Sequence, residues 1–144
     1  MSEELEAIFR RLNDEAWNQG KFDLIDDLVS RDLVLHLPDG TQSSFEEYKD
    51  SAVSGSTQWS DGHFTIDHMI AEGDMLAAYW TYRATHTGHI PFLDLAPTGK
   101  EVTVTGMGFY RFEGGKIVEM WRINDNLGWL QQLGVIPPPG EGAE

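Results

Sequence analysis

Apolar residues open the chain with a helical period. Leu5, Ile8, Phe9, Leu12, Ala16 and Trp17 fall on one side of a helix spanning residues 2–19, with charged residues between them. Ser2 is placed to cap its start, and Glu3 and Glu4 sit in the first turn, where the helix dipole favours them. Gly20 ends it. Phe22, Ile25, Leu28 and Val29 share one face of a second, short helix. Leu33 to Leu37 reads as a short strand closed by the Pro38-Asp39-Gly40 turn. Ser44 followed by Glu47 predicts a capping box opening a helix to Ser54, with Phe45, Tyr48 and Ala52 as its apolar face and Gly55-Ser56 as its break.

The period then becomes two. From His63 to Ala71, Phe64, Ile66, His68 and Ile70 alternate with Thr65, Asp67 and Met69. Glu72-Gly73-Asp74 is a hairpin turn into a long strand, Met75 to His86, rich in Tyr, Trp and Thr. A loop with Pro91, Pro97 and Gly99 follows. Glu101 to Phe112 and Lys116 to Asn124 are two more strands joined at Glu113-Gly114-Gly115. Leu127 to Leu133 is a terminal helix stopped by Gly134, and residues 137–144 form a loose tail. Helices first and long antiparallel strands after them predict an α+β fold. It is a single domain spanning residues 1–144, with a curved antiparallel sheet forming a cone and the helices packed on one face. Such a cone has an open mouth suited to a small molecule.

Composition narrows the chemistry. The 144 residues include no cysteine, which excludes a disulfide frame, a thiol nucleophile and a thiolate metal site. Ten Lys and Arg against 24 Asp and Glu give a formal net charge of −14, which repels nucleic acid and anionic membrane surfaces. No apolar run is long enough to span a bilayer, and the acidic, amphipathic start has no signal-peptide pattern, so a cytoplasmic protein is expected.

Period two on the last strand places Ile117, Glu119, Trp121, Ile123 and Asp125 on one face. A carboxylate following two large apolar residues suits a general acid/base. Asp125 also precedes a helix, so it can equally be an N-cap, as can Asn126. His36 and His86 lie near strand ends where they can face the cone. His63 and His68, five apart on a strand, point to opposite faces, and no third ligand accompanies His86 and His89, so no metal site is expected. Trp17, Trp59, Trp80, Trp121 and Trp129 supply core packing or a pocket for a flat, apolar ligand. Arg111 and Arg122 read as surface or rim charges, with Arg111 able to reach the pocket.

Four segments occur in a telling order: Thr85-His86-Thr87-Gly88, Pro97-Thr98-Gly99-Lys100, Gly115 to Trp121, and Asp125-Asn126-Leu127-Gly128-Trp129-Leu130-Gln131-Gln132-Leu133-Gly134. With the Glu72-Gly73-Asp74 turn, they resemble the SnoaL-like polyketide cyclase (ester cyclase) family over nearly the whole chain. The resemblance implies the cone of the nuclear-transport-factor-like superfamily, assembled as a dimer or higher oligomer through the outer face of the sheet. It implies intramolecular aldol ring closure of a hydrophobic carbonyl substrate without a cofactor, a lyase or isomerase chemistry. The family's general acid/base matches Asp125 and its Thr-His-x-Gly histidine matches His86, while His36 falls where many members carry a polar residue. The further pocket histidine of well-studied cyclases has no counterpart in Thr103 to Phe112, where Tyr110 and Arg111 lie instead, and Ser60 stands where a proline is common. On this reading Asp125 moves the proton, His86 and His36 bind an oxygen, and Trp59, Trp80, Trp121 and Trp129 shape the pocket. The same cone also serves an epoxide hydrolase, an isomerase or a non-catalytic carrier of hydrophobic ligands.

Overall fold

A computed structural model of the chain describes residues 2–137, so the expected tail lies outside the described residues except for Pro137. The elements in order are α1 (Ser2–Arg11), a π-helical segment (Leu12–Trp17), α2 (Asp23–Leu28), β1 (Val29–His36), β2 (Gln42–Ser43) and α3 (Phe45–Gln58). Then come β3 (Trp59–Glu72), β4 (Met75–His86), a 3-10 turn (Pro91–Leu93), β5 (Glu101–Glu113), β6 (Lys116–Asn124) and α4 (Asn126–Leu133). The strands make one six-stranded sheet, β2-β1-β6-β5-β4-β3, and the expected α+β class holds. Every pairing is antiparallel except β1 with β6, which is parallel and brings the early strand beside the last one. Among the described residues no helix is long and apolar enough to cross a membrane.

Helices and inner sheet face share one core, in which Phe9, Leu12 and Ala16 meet Leu76, Trp80, Tyr110 and Met120. Phe9 and Tyr110 pack ring to ring with centroids 4.6 Å apart. The predicted capping box forms: Ser44 Oγ accepts from the Glu47 amide, and the Glu47 carboxylate accepts from the Ser44 amide. Two helix expectations change. Ser2 donates its hydroxyl to Ala71 O, a sheet contact. The predicted break at Gly55-Ser56 is absent, because α3 continues to Gln58 with Ser56 and Thr57 hydroxyls bonded to carbonyls three residues back.

Three one-residue β-bulges set the sheet's faces, besides a wider irregularity in β1 between Val29 and Val34. The register against β4 and β5 leaves one extra residue in β3 between Ser60 and His63, another at Asp67, and one in β6 at Val118. Each extra residue reverses the alternation beyond it. Hence Phe64 and Ile66 face the core, but so do Met69 and Ala71, while His68 and Ile70 turn outward, against the simple period. Likewise Ile117 and Met120 are both fully buried although three residues apart.

Asn18 fastens the helical layer to the first bulged strand. Its amide nitrogen donates to Phe64 O at 2.9 Å, and its amide oxygen accepts from Phe64 N at 2.7 Å. Both backbone groups lie in a half-buried setting between two bulges. Asn18→Ala is therefore expected to destabilise the protein by about 2–3 kcal/mol, read as a lower urea midpoint with an unchanged m-value.

Candidate active site

The cone opens between the start of β3, the 3-10 turn and α4. A cavity of about 190 Å³ there is lined by Trp59, Tyr82, Phe92, Asn124 and Trp129, with Phe64 at its inner end. Its rings stand edge to face: Trp59 to Trp129 at 5.9 Å and Phe92 to Trp129 at 6.4 Å between centroids. A second cavity of about 310 Å³ lies on the other side of Trp59 and Tyr82, bounded by Trp17, Ala52 and Asp61. Trp59 and Tyr82 are thus shared walls. Burial pushes the Tyr82 hydroxyl up to about 12, helped by the negative charge of Asp61.

His86 forms the buried floor under Trp59, with ring centroids 5.3 Å apart. The Thr98 amide donates to Nδ1 at 3.1 Å, so Nδ1 accepts and the ring hydrogen sits on Nε2. That Nε2 is buried without a partner. Backbone bonds bind the two loop motifs together: His86 N donates to Lys100 O, and Gly99 N to His86 O. Thr87 N and Gly88 N both donate to Gln58 O, and a side chain at 88 would run into the Thr57 carbonyl. The Thr-His-Thr-Gly and Pro-Thr-Gly-Lys segments are therefore a mutual lock that holds the mouth's wall.

Asp125 takes the capping position foreseen as one of its two readings. It is exposed, its Oδ1 accepts from Gly128 N at 2.9 Å, and its own amide donates to Thr105 O. The carboxylate folds over Gly128, where any side chain would strike it. Asn124 and Asn126, on either side of Asp125, line the aromatic cavity. Gln132 fixes the helix that presents them, accepting from Thr103 N at 2.7 Å and donating to Thr103 O at 2.8 Å. No hydrogen bond joins Asp125 to His86 among the described residues.

The remaining predicted residues divide between the two faces of the sheet. Trp59 and Trp129 line the mouth; Trp80 and Tyr110 are buried in the core between sheet and helices. His36, Trp121 and Arg111 are on the opposite, outer face, so the expectation that they meet substrate in the cone is corrected. The Val118 bulge is the reason: Met120, Arg122 and Asn124 point inward, and Glu119, Trp121 and Ile123 outward. His36 stacks on Trp121 at 5.0 Å, and its Nε2 lies 2.6 Å from Glu119 Oε2, while Arg111 Nε donates to Glu119 Oε1 at 3.0 Å. These bonds, that of His36 foremost, hold the Glu119 carboxyl below its ordinary value. Among the described residues no three acidic or histidine side chains gather as metal ligands.

A model of the SnoaL-like polyketide cyclase family matches residues 7–133. The chain belongs to the SnoaL-like polyketide cyclase family. Its fold recurs in solved structures of the same cone. AclR from Streptomyces galilaeus, put forward as a hydroxylase, is 26% identical over 97% of this chain and 86% of that one, with a TM-score of 0.86. IdmH from Streptomyces antibioticus, put forward as a polyketide cyclase, is 29% identical over 90% and 97%, with a TM-score of 0.79. A SnoaL-like polyketide cyclase from Agrobacterium tumefaciens is 25% identical over 90% and 98%, with a TM-score of 0.74. No curated protein matches the chain significantly.

Four residues of this SnoaL-like cone escape a reading of its sequence. Tyr82, Phe92 and Asn124 line the mouth, and Arg122, read as a rim charge, turns its guanidinium to the rings of Trp17, Tyr48 and Trp80. Period two does group Arg122 and Asn124 with buried Met120, but the larger Trp121 and Ile123 draw the eye to the wrong face. The raised Tyr82 hydroxyl has a pH consequence. Between pH 10 and about 12 the unfolded chain loses this proton and the folded one keeps it, so stability falls as pH rises through that window. Tyr82→Phe is expected to show a shallower fall in urea midpoint from pH 9 to pH 11 than the parent protein.

Proposed function

We propose that the protein is a cofactor-independent acid/base enzyme acting on a hydrophobic carbonyl substrate seated in the aromatic mouth, closing a ring by intramolecular aldol addition. The observation that carries this reading is the place of Asp125, held between two cavity-lining asparagines at the end of β6. The Asp125 carboxylate takes a proton from the carbon alpha to one carbonyl. The resulting carbanion forms the new carbon–carbon bond at a second carbonyl, whose oxygen takes up a proton. Trp59, Phe92 and Trp129 shield the reacting carbons from water. His86, locked by Thr98 beneath Trp59, keeps that wall in place, and His36 has no part in the reaction. The family of the chain and its likeness to IdmH support the reaction class.

Asp125→Asn tests it. Asparagine caps a helix as well as aspartate does, so the melting temperature is expected to stay unchanged. Conversion of an aromatic polyketide ester to its cyclised product is expected to fall by about 10²–10⁴-fold. Undiminished conversion by Asp125→Asn would overturn the assignment. Binding of the ester by the parent protein without any conversion would favour a carrier.

The same reading pairs two copies through the outer face of the sheet. Across the strands run the rows His36–Trp121–Phe109–Ala77–Ile70 and Ile123–Met107–Tyr79–His68. Phe109 is 55% exposed and Ile70 73%, in an apolar groove of about 460 Å³. Exposure of so much contiguous apolar surface marks an interaction face. Sedimentation is expected to give a dimer for the parent protein and a folded monomer for Phe109→Lys.

A further inference from the structure

Arg122 is a cation inside the cone with no carboxylate beside it. Its guanidinium carbon lies 5.2 Å from the Trp80 ring centroid, 5.7 Å from that of Trp17 and 5.9 Å from that of Tyr48. The hydroxyl of buried Tyr110 is its polar neighbour. Among the described residues no acidic side chain comes within ion-pair distance of it, although the chain carries 24 acids. Its Nε is buried and unpaired, and so is Nε1 of Trp80. Aromatic faces attract a cation, but they accept no conventional hydrogen bond from its edge. Two buried donors left without acceptors are costly and call for a reason.

Neither lines the mouth cavity; both lie behind it, on the inner face of the sheet. Trp80 pairs with Gly106, and Gly106 with Asn124, so the indole and the amide stand over the same glycine. A Cβ added at Gly106 would come 2.6 Å from Trp80 Nε1 and closer still to Asn124 Oδ1. Bare glycine is what lets the indole and the amide pack so closely over the strand. Asn124 lines the aromatic cavity, and Arg122 lies two residues deeper on the same face, about 7 Å along the strand. Phe64 stands between: it lines the cavity and packs against both Trp17 and Trp80, at 5.4 and 6.5 Å.

We propose that Arg122 and the indole N–H of Trp80 receive an anionic oxygen of an aromatic substrate, a carboxylate or an enolate, which enters past Phe64 and anchors at the inner end of the cone. This rests on the reading of the cone as the substrate site and adds the class of substrate, an aromatic oxyanion. The aromatic collar serves the same end. It holds the guanidinium in place without neutralising it, so its charge is kept for the ligand. At a formal net charge of −14 the protein as a whole repels anions, so a preference for one reports a local site.

Calorimetric titration with 2-naphthoate and its neutral isostere 2-naphthamide, at pH 7.5, tests the proposal. The parent protein is expected to bind the naphthoate about tenfold more tightly than the amide. Arg122→Met is expected to lower naphthoate affinity to that of the amide and leave the amide unchanged. Trp80→Phe keeps a ring and removes the N–H, and is expected to cut the preference about fivefold; it carries the test if Arg122→Met does not fold. Equal affinity for both probes in the parent protein overturns the proposal while the cone reading stands, as does a preference that survives in the Arg122 variant. Failure of the parent protein to bind either probe removes the cone reading along with it.

Discussion

A sheet wrapped round a helical layer must curl, and in this chain the curl comes with one extra residue at each of three places. The bulge between Ser60 and His63 bends β3 where Trp59 leaves the mouth, and those at Asp67 and Val118 bend the strands across the body of the sheet. Each insertion reverses which side chains look inward. The Val118 bulge decides that Met120, Arg122 and Asn124 belong to the cone and that Trp121 and Ile123 belong to the outside. The aromatic mouth, the unpaired cation and the apolar outer rows all follow from that assignment.

The chain announces its elements more plainly than its faces. Glycine turns at Gly73 and Gly114-Gly115 fix the hairpins, and the bounds of β4 and β6 coincide with the runs of β-forming residues. The Ser44 capping box and the Gly134 stop are equally legible, because capping depends on residues three or four apart. A bulge has no such signature: Asp67 and Val118 look like any other strand residue. Counting by twos past them therefore places His68, Ile70, Trp121 and Ile123 on the wrong side. The parallel pairing of β1 with β6 is invisible for another reason, since it joins residues as far apart in sequence as His36 and Trp121. At the candidate site, Trp59, Trp129 and the two-sided reading of Asp125 were within reach of local pattern. Arg122 was not, because a cation held among rings and a tyrosine hydroxyl, without a carboxylate, contradicts the usual expectation that Arg lies at the surface.

Three buried atoms depart from what the rest of the described residues keep. Nε2 of His86, Nε1 of Trp80 and Nε of Arg122 are buried polar atoms without partners. Elsewhere the chain satisfies such groups carefully, as with the Trp17 indole donating to the Tyr48 hydroxyl at 2.9 Å and Asn13 donating to Phe9 O at 2.8 Å. Buried donors left unpaired cost the resting protein stability, and such exceptions to local consistency are expected at functional sites.

The lock between His86 and Thr98 bears on how such a cone changes over time. Three of the segments that carry the family resemblance, Thr85 to Gly88, Pro97 to Lys100 and Asp125 to Gly134, hold backbone, loop and terminal helix in place. Phe64, Phe92 and Asn124, which line the mouth, lie outside those segments, whereas Asn126 and Trp129 lie within the last of them. Most of the lining is thus written apart from the scaffold, and the two meet in the terminal helix. One set can drift to suit a new molecule while the other keeps the vessel intact, so kinship in this fold travels further than any single reaction.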